Sequence, residues 1–191
     1  EEEWEPLRRL AACIEADDKT FSRQIGQLVN LSNLVDNWLF FQAIGGFDNS
    51  NKNVYYAARN ENGDYRGYFI PWDLNISFGA VYADNKYYAE ETLEETGTQV
   101  QFEPGCRAIA LDADHARALA KEKWEDWKEK AFTAEALLER AQHLQQELTG
   151  SGAMAREMER WPGGNASTDL SLLTEFTKQR MAYMDSMIDG L

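Results

Sequence analysis

Cysteine and histidine are scarce in this chain, which has 191 residues but only two of each. Cys13 and Cys106 are far apart and match neither the spacing of zinc ligands nor that of a redox pair. His115 and His143 both fall within helical patterns, so the sequence does not predict a zinc site. The two cysteines fit either one disulfide in an exported protein or two buried thiols.

Basic residues are also few. The chain holds 19 Lys and Arg against 33 Asp and Glu, which gives a net charge of −14. Such a chain repels phosphate backbones, so nucleic-acid binding is not expected. The acidic runs at Glu1–Glu3 and Glu90–Glu95 are typical of a solvated surface. No apolar run approaches the roughly 20 residues that cross a bilayer, so no membrane span is expected.

Apolar and aromatic residues, in contrast, are plentiful, at 43% and 12% of the chain, and they suffice for a buried core. Apolar residues recur with helical period in several segments. These are 4–15, 18–28, a segment that Asn30 or Ser32 could cap and that runs to about Ile44, 116–131, 137–150 and 168–187. Asp18 is the expected N-cap of the second helix, and Gly45-Gly46 ends the third. The third helix is apolar nearly all round, so it should lie at the centre of the fold.

Three tryptophans, Trp38, Trp124 and Trp127, lie on apolar helix faces and are predicted to be core residues. Two short segments between the third and fourth of these helices have strand composition instead, Val54–Tyr56 and Tyr68–Ile70, joined by a turn at Asn60–Gly63. The sequence therefore predicts a mostly α-helical α+β fold with one small β-hairpin. Residues 80–110 show no clean period, and we expect this segment to contact a substrate.

Polar loops precede and follow the hairpin. The first runs from Asp48 to Asn53, and the second begins at Trp72-Asp73. Because an antiparallel hairpin brings the start of its first strand beside the end of its second, we expect Asp48, Asn53 and Asp73 to converge on one site.

Carboxylate and amide oxygens at one site suit Mg²⁺ or Mn²⁺. Phosphoryl transfer needs such ions and an Asp that orients or deprotonates the attacking hydroxyl. The Asp-x4-Asn spacing from Asp48 to Asn53, with Asp73 after the hairpin, follows the order of catalytic and metal-binding residues in kinases. The first loop alone also fits ordinary turn chemistry. The order of helix, Gly-Gly, loop, hairpin and Pro-Trp-Asp favours the kinase interpretation.

Four segments carry a resemblance to a known family. They are Asn33–Phe40, Asp48–Tyr56, Tyr68–Gly79 with its run Ile-Pro-Trp-Asp-Leu-Asn, and Gln179–Asp185. Together they resemble the spore-coat CotH kinase family. The resemblance covers most of the chain and is most specific over residues 30–80.

This resemblance implies a protein-kinase-like C-terminal lobe with the hairpin between two active-site loops. It implies ATP, Mg²⁺ or Mn²⁺, and phosphorylation of Ser or Thr in a protein substrate. By the same resemblance Asp48 is the catalytic residue, and Asn53 and Asp73 hold the metal and the nucleotide. Lys52 would lie near the transferred phosphate. The resemblance also implies a bacterial protein that is extracellular or at the cell surface.

The second loop departs from the family pattern. That pattern often reads Trp-Asp-x-Asp, whereas Asn75 stands at its last position here. Asn75 still offers an oxygen as a metal ligand, but without charge, so reduced metal affinity is expected. Aligning Ser77-Phe78-Gly79 with the Asp-Phe-Gly of kinases is the alternative, and we reject it because serine is a poor Mg²⁺ ligand beside an available Asp73.

No glycine-rich phosphate loop and no strand with a nucleotide-binding lysine precedes the first helix. We therefore expect residues 1–191 to be a partial domain whose N-terminal lobe lies upstream in the same chain, with weak or no turnover alone. Two other functions stay open. One is a non-catalytic, kinase-derived binding or adhesion module of a secreted or surface protein. The other is a helical domain attached to a carbohydrate-active enzyme, which exposed Trp or Tyr would favour.

Overall fold

The computed structural model describes residues 4–50, 52–83, 86–88, 96–164 and 167–191. Its helices are α1 (Glu5–Glu15), α2 (Asp18–Leu28), α3 (Leu31–Ile44), α4 (Gly105–Ala110), α5 (Ala116–Lys130), α6 (Ala134–Gly150), α7 (Ala153–Arg160) and α8 (Ser171–Asp189). Its strands are β1 (Val54–Glu61), β2 (Asp64–Pro71), β3 (Val81–Ala83) and β4 (Lys86–Tyr88). The mostly helical α+β prediction is confirmed. Within the described ranges, the helices lack the apolar length that a bilayer crossing requires.

The start of α2 differs by one residue from the sequence prediction. The N-cap is Asp17, whose carboxylate accepts a hydrogen bond from the backbone N–H of Thr20 at 2.7 Å. Asp18, the predicted cap, is instead the first helical residue and forms an ion pair with Arg107 at 2.7 Å. Either aspartate satisfies the sequence pattern, and the extended backbone at Asp17 decides between them.

Helix α3 lies at the centre of the core, as its sequence predicts. Asn30 caps its start by accepting from the backbone N–H of Asn33 at 2.9 Å, and Gly45 ends it in the left-handed conformation. It packs against α4, α5, α8 and β2. Trp38 and Trp124 are buried in this core, while Trp127 is half-buried at its edge.

The predicted hairpin is present and longer than expected. β1 and β2 pair antiparallel from Val54 opposite Pro71 to Glu61 opposite Asp64, and the chain turns at Asn62-Gly63. The sequence predicts only the short strands Val54–Tyr56 and Tyr68–Ile70, because the outer half of β1 holds small and charged residues of low strand propensity. Cross-strand pairing extends both strands despite that composition.

The segment over 80–110 has more structure than its sequence pattern indicates. β3 and β4 form a second short antiparallel pair, and α4 follows. The predicted acidic surface runs, Glu1–Glu3 and Glu90–Glu95, lie outside the described residues.

Both cysteines are free thiols, and of the two only Cys13 is buried, as the second sequence interpretation expects of both. Cys13 is buried in the core, and burial raises the pKa of its thiol. Cys106 is half-buried and donates to the carbonyl of Val100 at 3.2 Å.

Helices α6 and α7 lie at the edge of this core, which they contact through the partly buried Ala134 and Leu137 of α6. Of their residues, all of which the structure describes, none is fully buried. α6 packs against α7 and α8.

Candidate active site

The first loop leaves α3 through Gly45 and forms a single 3-10 turn at Phe47–Asn49. Asp48 lies in this turn with 23% of its side chain exposed. Its Oδ2 accepts a hydrogen bond from Nδ2 of Asn53 at 2.6 Å, and its Oδ1 pairs with Nζ of Lys52 at 3.0 Å. The structure therefore brings three of the predicted site residues into direct contact.

Asn49 joins the two loops. Its side chain is fully buried, and its Nδ2 donates to the carbonyl of Asn53 at 3.0 Å and to that of Trp72 at 2.9 Å. The backbone N–H of Trp72 donates to the same Asn53 carbonyl at 2.8 Å. The predicted convergence of the loops follows from the strand register, and Asn49 holds it in place.

Sequence reasoning missed Asn49 because it is one of several asparagines in a polar loop. Its only distinguishing signal is its place directly after the candidate catalytic Asp48.

Asp73 follows Trp72 and begins the second loop. Its carboxylate is exposed and accepts no hydrogen bond from any residue that the structure describes. Asn75 is exposed two residues further along. The loop is tied to the end of α3, since the backbone N–H of Phe78 donates to the carbonyl of Ile44 at 2.7 Å.

Both loops contain backbone in the left-handed region. φ is 60° at Asn53, 51° at Asp73 and 52° at Phe78. Asn and Asp tolerate this region, but a bulky residue such as Phe does so only under constraint. Strained backbone of this kind concentrates at functional sites, where the surrounding structure holds it. The two loops therefore have the local character of a site as well as its residue types.

The donor set fits a divalent cation that is shared with phosphate. Nδ2 of Asn53 is turned toward Asp48, and among the described residues no donor contacts its Oδ1. That oxygen and the Asp73 carboxylate are hard ligands of the kind Mg²⁺ and Mn²⁺ prefer. Across the described part of the chain, no three His, Cys, Asp or Glu side chains come together. A protein site with so few carboxylates relies on phosphate oxygens to complete the metal's coordination.

An aromatic pair lies next to these ligands. The rings of Tyr55 and Trp72 meet edge to face, with centroids 5.4 Å apart, and they are 55% and 58% exposed. Tyr55 and Trp72 lie on one face of the hairpin, because Tyr55 pairs with Ile70 and side chains alternate between faces along a strand. Side-chain alternation along the strands could have indicated this pair from the sequence, but the predicted strands were too short to reveal it.

Comparison with known proteins identifies a family whose sequence pattern this chain matches. The family model described as CotH kinase protein matches residues 1–184. The matched range contains both loops, the hairpin and α8 as far as Met184. No curated protein and no solved structure matches the chain.

Proposed function

Since the chain belongs to the CotH kinase protein family, we propose that it supplies the catalytic and metal-binding loops of an atypical protein kinase. Membership of a kinase family implies ATP as the phosphate donor. The proposed acceptor is a Ser or Thr hydroxyl of a protein. The observation that carries the proposal is the joining of the two loops through Asn49, which holds Asp48 and Asp73 on segments that are hydrogen-bonded to each other.

Asp48 is proposed to orient the acceptor hydroxyl and take its proton. Asn53 holds one carboxylate oxygen by a hydrogen bond of 2.6 Å, so the side chain is fixed before substrate arrives. The hydroxyl oxygen attacks the terminal phosphorus of ATP, the bond from that phosphorus to the bridging oxygen breaks, and ADP leaves. Positioning an oxygen nucleophile in line is the main protein contribution to this reaction.

Lys52 is proposed to move between two anions. Its side chain is 66% exposed and pairs with Asp48. An exposed ion pair contributes at most about 1 kcal/mol. The Lys52 ammonium can therefore leave Asp48 and pair with a phosphate group at little cost in free energy. That exchange would release Oδ1 of Asp48 for the substrate hydroxyl.

Asn53 and Asp73 are proposed to hold Mg²⁺ or Mn²⁺ together with the ATP phosphates, and Asn75 to add a neutral oxygen. When bound, the cation offsets charge on the transferred phosphate. The exposed faces of Tyr55 and Trp72 lie beside these ligands and offer a stacking surface for the nucleotide base.

Calorimetric titration of Mn²⁺, with and without ATP, tests the proposal. The wild-type chain should bind Mn²⁺ more tightly when ATP is present, and Asp73→Ala should lose that increase. Asp64→Ala is the matched control, because Asp64 is an exposed aspartate at the opposite end of the same hairpin. Equal binding by all three chains would place the cation elsewhere and refute the assignment. No binding by the wild-type chain would favour the non-catalytic binding module.

A further inference from the structure

A buried arginine lies beneath the Asp48 loop. Arg180 of α8 is fully buried, and its guanidinium donates to two separate segments of backbone. Nε donates to the carbonyl of Gln42 at 2.5 Å, at the last turn of α3. Nη1 donates to the carbonyls of Thr96 and Thr98, at 2.8 and 2.6 Å. One side chain thus joins α8, the end of α3 and the start of the 96–100 segment.

Gln42 completes the connection from the other side. It is also fully buried, and its Oε1 accepts from Nη2 of Arg180 at 3.3 Å. The same oxygen accepts from the backbone N–H of Val100 at 2.8 Å, and Nε2 donates to the Val100 carbonyl at 2.6 Å. The 96–100 segment is therefore held at both of its ends by this pair of side chains.

The charge of Arg180 is unusual for a purely packing role. Among the described residues it has no carboxylate partner, and burial lowers its pKa to about 10, so it stays charged at neutral pH. Its Cζ lies 4.7 Å from the ring centroid of Tyr183 and 5.8 Å from that of Phe47. A buried charge without a counter-ion is costly, and apolar residues would fill the same space more favourably. What the guanidinium adds is a rigid fork of donors that fixes the separation of the segments it joins.

The segments that it joins both lead to the candidate site. Three residues after Gln42 the chain enters the loop of Phe47 and Asp48. The carbonyl of Ile44, two residues after Gln42, accepts from Phe78 of the second loop. A shift at the end of α3 would therefore move both loops together.

We propose that Arg180 and Gln42 are positioning residues that lock the 96–100 segment to the end of α3 and thereby fix both loops of the site. Neither residue is assigned contact with substrate. The link to phosphate transfer rests on the proposed function, whereas the mechanical coupling between the segments does not.

Native-state hydrogen exchange in low urea tests the coupling in the wild-type chain. The amides of Phe78 and Val100 are hydrogen-bonded across this region, to Ile44 and Gln42, and the amide of Asn49 closes the turn of the first loop by donating to Gly46. They should open as one cooperative unit, with the same free energy and urea dependence. Separate opening of Val100 from the two loop amides would overturn the proposal without any variant being made.

Two variants break the connection from opposite ends. Arg180→Lys keeps the charge but loses the fork, and Gln42→Met keeps the volume but loses the donor and acceptor. Each should speed exchange at Asn49, Phe78 and Val100 by about tenfold to a hundredfold, the effect of one or two charged hydrogen bonds. Faster exchange at Val100 alone, or equally at every core amide, would contradict a positioning role.

Arg107→Lys is the matched control. Arg107 also donates to two backbone carbonyls, those of Ile14 and Ala16, but these lie at the end of α1. This variant should leave exchange at Asn49 and Phe78 unchanged.

Mn²⁺ titration in the presence of ATP gives the functional readout. Affinity should fall in the order wild type, Arg180→Lys, Arg180→Met, and Arg107→Lys should match wild type. Equal affinity in all four chains would refute the effect on the site. If wild type binds no Mn²⁺, the proposed function fails for this chain, while the exchange result still decides the coupling.

Discussion

Gly67 of β2 and Tyr56 of β1 lie on the same face of the hairpin with no room for a side chain between them. A methyl carbon added at Gly67 would stand 2.5 Å from Cε2 of the Tyr56 ring. This face packs on the core, where Phe69 is buried and Tyr56 is half-buried. The edge of β2 meets the chain between α2 and α3, since the Gly67 carbonyl accepts from the backbone N–H of Asn30 at 2.9 Å. The hairpin between the two candidate active-site loops therefore packs on the core through a close contact that leaves room only for glycine at position 67.

Gly67→Ala should lower the free energy of unfolding by about 1–3 kcal/mol, the usual cost of overpacking a close contact. Equilibrium unfolding in urea would measure it. Gly150→Ala serves as the control, because nothing lies within 4 Å of an added carbon there, so its stability should stay near that of wild type. Equal stability of the two variants would mean that Tyr56 moves aside freely.

Replacing Asn49 should separate the two loops. Asn49→Ala removes the donor to the Asn53 and Trp72 carbonyls and should cost about 1–3 kcal/mol of unfolding free energy. Asn49→Asp should cost more at pH 7, because a buried carboxylate would face those carbonyls.

Burial should raise the pKa of the carboxyl that Asn49→Asp introduces, so that its folded-state value lies above its unfolded value. The free energy of unfolding of Asn49→Asp should therefore lie closest to that of wild type at acid pH. The difference should grow as pH rises through the unfolded pKa, about 3.9, to the raised folded value. Asn60→Asp should show little deficit, because the Asn60 side chain accepts from Gly63, as a carboxylate can. A deficit for Asn49→Asp that is independent of pH would contradict this assignment.

Asp17 gives the stability of α2 a dependence on pH. The backbone N–H of Thr20 holds the pKa of this carboxyl below its ordinary value. Its contribution should be complete above the ordinary Asp pKa and should fade as pH drops through the lowered value in the folded state. Asp17→Asn keeps a capping oxygen without titrating. Thermal unfolding from pH 7 to pH 2 should show a larger fall in Tm for wild type than for Asp17→Asn, and parallel curves would contradict the cap.

Trp72 should contribute to binding of a nucleotide base and not of phosphate. Trp72→Ala should weaken binding of Mn²⁺-ATP by about 1–3 kcal/mol, the usual cost of losing one stacked base. Binding of Mn²⁺-tripolyphosphate, which has no base, should not change. Trp161→Ala is the control, because Trp161 is equally exposed and lies just after α7. Equal loss with both ligands would mean that Trp72 acts through the Asp73 loop instead.

Much of the fold was predictable because the sequence patterns that indicate it are local. The apolar period of α3 and the glycines that end it are visible in the sequence, and the convergence of the loops follows from hairpin geometry. The N-cap of α2 was wrong by one residue because Asp17 and Asp18 satisfy the same pattern. α4 has six residues, which is too short for a helical period to be recognised.

The parts that sequence reasoning missed depend on contacts between distant positions. Arg180 contacts Gln42 across 138 residues, and neither residue stands out from its neighbours. Asn49 is fully buried, which follows from tertiary packing rather than from a local pattern. The roles of Asp48, Lys52, Asn53, Asp73 and Asn75 in catalysis and metal binding stay predictions, and the titration of Asp73→Ala tests that of Asp73.

The lack of fully buried residues in α6 and α7 affects how this part of the chain can evolve. A helical pair without a fully buried residue can be lengthened, shortened or given new surface chemistry at little cost to the core that holds the two polar loops. Selection can therefore change this appendage while the two loops stay as they are. In the laboratory, the turn between α6 and α7 is for the same reason the place to graft a tag or a foreign recognition sequence.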